Sequence, residues 1–316
     1  KFFYEWLEEH YIKLLRVALV RELGKDAKLI YDVRMENTYS SNRPQIVKIP
    51  SSNRDPLKPQ KIAVPSEVNK RELRNPFVIP GLQKVKIESQ LNANYNFKNF
   101  VEGDSNRLAR SAGMAVANKP GGTSFNPLLI YGGVGLGKTH LAHAIGVDIK
   151  DKYPDKTVLY ISSEKFTQQF IDSVKSNTRN DFIHFYQMVD VLLIDDVQFL
   201  SGKAGTQDVF FHIFNHLHQN GKQVILTSDK APVDMQDIEQ RLLSRFKWGL
   251  SAELQLPDFE TRISILQNKL FRDGVEMPDE IVEYIAKNIK SNVRELEGVI
   301  ISMIAQASFN RREFSL

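Results

Sequence analysis

A chain of 316 residues is long enough for two or three domains and a sizeable core. It has no cysteine, which excludes disulfides, thiolate zinc sites and thiol catalysis, and no stretch reaches the uninterrupted apolar length of a membrane span. A formal net charge of +4 permits a nucleic-acid partner without demanding one, and the whole composition suits a soluble, cytoplasmic protein.

Residues 1–24 carry Phe3, Trp6, Leu7, Leu14, Leu15, Val17, Ala18 and Leu19 at helical spacing, and the interleaved Glu5, Glu8 and Glu9 argue against a signal-peptide core. Ala27 to Met35 alternates like a strand. Residues 1–37 therefore read as the end of a small α/β module, the alternative being a flexible amphipathic extension; the start at Lys1 rather than Met suits a fragment. After Asn37 the composition shifts abruptly. Pro44, Pro50, Pro56, Pro59, Pro65, Pro76 and Pro80 stand among Ser, Asn, Lys, Gln and Arg, so 38–90 reads as an extended, disordered linker with solvated charge.

Order returns near Leu91. Tyr95 and Phe97 either cover an adenine base or belong to the core, and Asn106 to Ala117 reads as a helix. Leu128-Leu129-Ile130-Tyr131 is then an apolar, β-prone run that breaks into Gly132-Gly133-Val134-Gly135-Leu136-Gly137-Lys138-Thr139 and restarts as a helix to about Lys152. Strand, phosphate loop and helix are the reading of that pattern. Gly133, Gly135 and Gly137 let successive backbone N–H groups face phosphate oxygens at a helix N-terminus; Lys138 adds a full charge, and Thr139 offers a hydroxyl to Mg²⁺. ATP with Mg²⁺ is the expected cofactor.

Thr157 to Ile161 is the next strand, and 164–188 is helical material rich in Phe166, Phe170, Phe182 and Phe185. Val191-Leu192-Leu193-Ile194 makes a buried parallel strand that ends in Asp195-Asp196, where open α/β sheets bind ligands. Asp195 suits Mg²⁺ held through water, and Asp196 suits the attacking water. Gln223 to Asp229 ends near the same edge and suits a γ-phosphate or water sensor. Arg241 and Arg245 stand four apart on a helix and share a face; one of them can reach a neighbouring subunit's γ-phosphate, or both are surface charge. His212 and His216 have a zinc-like spacing but no third ligand. From Pro257 on, Glu260–Arg272, Asp279–Lys290 and Val293–Ala307 read as the helices of a small lid, with Arg294 placed to fold back on the nucleotide.

Residues 95–309 resemble the AAA+ domain of the DnaA family of bacterial replication initiators. The carriers are Tyr95-Asn96-Phe97 to Gly103 with Asn106, the phosphate loop, Leu193-Ile194-Asp195-Asp196-Val197-Gln198-Phe199, Leu226-Thr227-Ser228-Asp229, Arg241-Leu242-Leu243-Ser244-Arg245-Phe246 and Ser291-Asn292-Val293-Arg294-Glu295-Leu296-Glu297-Gly298. The resemblance implies an α/β fold: a P-loop AAA+ parallel sheet flanked by helices at 91–248, followed by an all-α lid at 249–316. Residues 1–37 correspond to part of the N-terminal interaction domain and 38–90 to its variable linker. It further implies a weak ATPase used as a switch, with Lys138, Asp195, Asp196 and Arg245 in the catalytic set, Asp229 and Arg294 as sensors, Arg241 as a second interface arginine and Thr139 with Asp195 at the metal. The implied partners are further copies of the chain in an ATP-dependent helical oligomer, origin DNA, a replicative helicase and regulators reached through the N-terminal module, and acidic phospholipids. Lys175, Arg179 and Lys203 are the candidates for contacts to single-stranded DNA phosphates.

Family members continue into a C-terminal helix-turn-helix domain, and here the sequence ends at Leu316, so single-stranded but not sequence-specific duplex contacts are expected. A helicase-loader-like factor fits less well, because the Ser291–Gly298 run and the long linker speak against it. A metabolic P-loop kinase leaves Arg245 and the lid without a role.

Overall fold

The computed structural model describes residues 87–310, the side chains of 308–310 excepted, so the module at 1–37 and nearly all of the 38–90 linker lie outside the described residues. Five strands form one parallel sheet: β1 (Leu128–Gly132), β2 (Val158–Ser162), β3 (Val191–Asp195), β4 (Gln223–Ser228) and β5 (Leu250–Leu254). Their spatial order is β2-β3-β4-β1-β5. Because β4 lies between β1 and β3, the end of β4 emerges between the phosphate loop and the acidic pair.

Period-2 alternation sorts the strand side chains onto two faces. Leu128, Ile130, Val191, Leu193 and Ile225 pack with Ala109, Val116, Leu141 and Ile145 from α1 (Arg107–Asn118) and α2 (Lys138–Lys152). Leu129, Leu192, Ile194, Val224 and Leu226 turn to the other side. There they meet Phe166, Phe182, Phe210 and Phe246 from α3 (Ser163–Lys175), α4 (Arg179–Gln187), α5 (Ala204–Gln219) and α6 (Gln240–Phe246). Near-continuous apolar runs are what a sheet covered on both faces requires.

One expectation gains detail and one changes. The helical material at 164–188 is two helices, because Asn177 takes a left-handed φ of 57° after α3 and breaks it. Residues 250–254, placed with the lid at 249–316, are instead an edge strand paired with β1 from Leu128↔Leu250 to Gly132↔Leu254. The signal was present: Leu250, Ala252 and Leu254 alternate with Ser251 and Glu253.

The all-α region therefore begins at α7 (Phe259–Asp273), followed by α8 (Asp279–Asn288) and α9 (Val293–Asn310) around Leu266, Leu270, Ile281, Val282, Ile285, Leu296 and Ile300. Asp258 caps α7 by accepting from the Thr261 backbone N–H at 2.7 Å, a bond that holds its carboxyl below the usual carboxylate range. Arg262 ties the region together from inside: its buried guanidinium donates to the Ala286 carbonyl at 2.8 Å and the Pro257 carbonyl at 2.7 Å. Arg262→Ala leaves both acceptors stranded, and urea denaturation is expected to show a loss of about 2 kcal/mol.

Candidate functional site

The phosphate loop takes its shape from contacts that only glycine permits. Gly132 has φ 149°, and a Cβ there would meet the Leu254 carbonyl oxygen of β5 at 2.2 Å. Gly135, at φ 77°, lies under the start of α9: its carbonyl accepts from the Val293 N–H at 3.1 Å, and a Cβ would stand 2.7 Å from Asn292 Oδ1 and 3.2 Å from Arg294 Cβ. The last helix of the lid thus sits on the loop, with the Arg294 Cβ close to Gly135. Gly133 and Gly137 complete the loop, and α2 starts at Lys138 with its N-terminus facing the same space.

Lys138 is buried, with Nζ donating to the carbonyls of Gly132 at 2.9 Å and Gly133 at 2.8 Å and paired with Asp229 Oδ1 at 2.7 Å. Asp195 is 5% exposed. Its Oδ2 accepts from Thr139 Oγ1 at 2.9 Å and from the Tyr160 phenol at 2.6 Å, and its Oδ1 accepts from the Thr227 hydroxyl. Burial, reinforced by that bond to Asp195, raises the Tyr160 phenol above its ordinary range, so it remains a donor. Hydroxyl and carboxylate oxygens facing each other 2.9 Å apart are the hard donors Mg²⁺ takes, so Thr139 and Asp195 fit the expected ion.

Asp196 adopts a left-handed φ of 58°, which turns the chain out of β3; its N–H is satisfied by Thr227 Oγ1 at 2.8 Å. Burial, and then the neighbouring Asp195, raise its carboxyl above the usual range, while a bond from Gln198 pulls the other way. Gln198 Nε2 donates to Asp229 Oδ2 at 2.9 Å and Asp196 Oδ1 at 3.2 Å, coupling the two acids. Gln198, Thr227 and Tyr160 are site residues that sequence reading did not assign; the first two lie in or beside quoted motifs, and Tyr160 has no local signal.

The aromatic alternatives resolve in part. Phe97 packs against the sheet core, and the Tyr95 ring lies tilted against the His140 ring with centroids 4.9 Å apart. Neither lines the cleft between the phosphate loop and α7, which is bounded by Phe100, Val101, Asn106, His140, Gln255 and Arg272. His140 is held below its ordinary pKa by burial, with Nε2 3.1 Å from the Asn96 carbonyl.

Arg245 stays outside this cluster. Its guanidinium lies 4.6 Å over the Trp248 ring and 5.9 Å from Phe211, with no carboxylate partner among the described residues. Arg241 shares Phe211, at 4.6 Å, but is neutralised by Glu239 and by Asp208 at 2.9 Å. Lys175 and Arg179 bracket the turn between α3 and α4, Arg179 leaning to Asp208 at 3.5 Å, and Lys203 precedes α5. His212 also turns to Asp208, at 3.6 Å.

The strand ends thus present a loop for anionic phosphates, a lysine, a metal-fitting hydroxyl–carboxylate pair and a second carboxylate beside them. Comparison with known proteins gives this geometry relatives. Residues 91–253 match the family model described as the bacterial DnaA ATPase domain. The chromosomal replication initiator protein DnaA of Flavobacterium psychrophilum is 77% identical over all 316 residues, which span 66% of that relative's length. Domain III of the Thermotoga maritima replication initiation protein DnaA superposes with a TM-score of 0.70 at 45% identity, over 72% of this chain and 95% of that one. A replication initiator DnaA solved bound to AMPPCP and single-stranded DNA superposes with a TM-score of 0.64 at 40% identity, over 71% and 70%.

Proposed function

The chain belongs to the bacterial DnaA family, and from that membership we propose that it acts as an ATP-dependent initiator of chromosome replication. ATP phosphates lie on the Gly132–Thr139 loop with Lys138 between the β and γ groups, and the base enters the cleft beside Phe100 and His140. Thr139 and Asp195 would hold Mg²⁺, which would supply positive charge against the phosphates. Asp196 holds the attacking water, Asp229 reads the γ-phosphate and Arg294 reports it to the lid. Hydrolysis is slow and ends the active state. The ATP form stacks into a helical oligomer on the origin, engages single-stranded DNA through Lys175, Arg179 and Lys203, and opens the duplex. Helicase and regulators dock on the N-terminal module, and acidic phospholipids act from the membrane surface on an otherwise cytoplasmic protein.

The observation that carries the switch is the contrast on α6. Arg241 is neutralised by two carboxylates, whereas Arg245 is held by aromatic faces with its charge uncompensated. A charge kept in that state suits an anionic group on a second copy, which makes Arg245 the finger acting in trans. Sedimentation with ATP and with ADP, with and without a single-stranded oligonucleotide, tests it. ATP is expected to shift the chain to higher mass and Arg245→Ala to abolish the shift while ATP affinity changes less than about threefold, under 0.7 kcal/mol. A monomer in every condition would overturn the assembly reading for these 316 residues.

A further inference from the structure

The hydrogen bonds around Asp195 draw in a residue from a strand that carries none of the recognised motifs. Tyr160 lies on β2, with Tyr160↔Leu193 and Ser162↔Asp195 in register. Tyr160 and Asp195 are therefore diagonal neighbours on one face of the sheet, a separation that a long aromatic side chain spans. The phenol reaches Asp195 Oδ2 at 2.6 Å, the same oxygen that accepts from Thr139.

The ring is fixed before any ligand arrives. His143 of α2 lies against it with centroids 3.9 Å apart, and His143 Nδ1 accepts the Asn92 N–H at 3.2 Å. The Tyr160 backbone N–H donates to the Ser89 carbonyl at 2.9 Å, so the segment at 89–92 closes over the edge strand and braces both rings. The oxygen that this fixed phenol holds is the one that also faces the threonine hydroxyl.

We propose that Tyr160 is a positioning residue for the metal-holding carboxylate: its hydroxyl aims Asp195 at the cation, so the affinity for Mg²⁺ depends on it and the affinity for nucleotide alone does not. The proposal rests on the reading that Asp195 holds Mg²⁺. Outer-shell partners of this kind are typically worth about 10- to 100-fold in metal affinity.

The test uses the whole chain and the variants Tyr160→Phe and Asp195→Asn, measuring fluorescent-ATP binding against Mg²⁺ concentration and ADP binding in EDTA. Tyr160→Phe keeps the ring against His143 and is expected to raise the Mg²⁺ midpoint about 10-fold while ADP affinity in EDTA stays within about twofold. The EDTA measurement on the same preparation also reports whether the variant is folded. An unmoved midpoint in Tyr160→Phe, with Asp195→Asn shifted, overturns the proposal. So does an equal loss with and without metal, which would make Tyr160 a packing residue. If Asp195→Asn itself leaves the midpoint unmoved, the metal reading fails and this proposal falls with it.

Discussion

Lys138→Ala is expected to reduce ATP and ADP affinity at least about 100-fold, about 2.7 kcal/mol. Among the described residues, the ammonium is the one full positive charge buried at the phosphate loop, and charge-assisted hydrogen bonds are each worth about 1.5–3 kcal/mol. Its loss also frees the Gly132 and Gly133 carbonyls and leaves Asp229 with Gln198 as its side-chain partner among the described residues, so an acid that Lys138 had neutralised then faces the incoming phosphates. Repulsion and lost attraction act in the same direction. A fluorescent-nucleotide titration gives the affinity, and thermal melting gives a second readout. Ligand at 100 times its Kd stabilises a protein by about 2.7 kcal/mol, so ATP should raise the melting temperature of the unaltered chain and leave that of the variant in place. Affinity within threefold of the unaltered chain would place the nucleotide elsewhere.

Phe210→Ala is expected to cost about 3–5 kcal/mol of unfolding free energy, the range for deleting a buried aromatic side chain from a core that relaxes only in part. Phe210 is fully buried on α5. Its ring centroid is 5.7 Å from Phe166 of α3, 6.3 Å from Phe214 one turn on, and 6.3 Å from Phe246 of α6. Phe246 directly follows Arg245, so the cavity opens beneath the helix that presents the proposed finger. Urea denaturation should show the full loss. A change below about 1 kcal/mol would mean that the neighbouring rings collapse into the space. Phe210→Leu, which keeps most of the volume, should lose less than half as much.

The strands that carry the site were legible because a sheet covered on both faces demands uninterrupted apolar runs, and these stand out at Leu128–Tyr131, Val191–Ile194 and Val224–Leu226. The weaker β5 was missed for the complementary reason. An edge strand needs only Leu250, Ala252 and Leu254 inward, and five alternating residues next to a helical domain are easily read as its approach.

The site divides along the same line. Gly132, Lys138, Thr139, Asp195, Asp196 and Asp229 could be named as candidates from the sequence because they end β1, β3 or β4 or follow one of them after a short loop, and strand ends on one edge of a parallel sheet must converge. Their order there could not be read: β4 enters between β1 and β3, and that insertion pairs Asp229 with Lys138 and lets Gln198 bridge two acids. The difference between Arg241 and Arg245 was equally invisible. Both are arginines on one helix face; Glu239 is a local partner for Arg241, but its second carboxylate, Asp208, arrives from α5, while Trp248 beyond α6 gives Arg245 an aromatic face and no charge. Local pattern determined which residues end each strand and start each helix, since backbone geometry and burial period act over a few residues. Partners such as Tyr160 for Asp195, 35 residues away in sequence, were decided by the register of the folded sheet, because a hydrogen bond depends on distance in space and sequence separation carries no record of it.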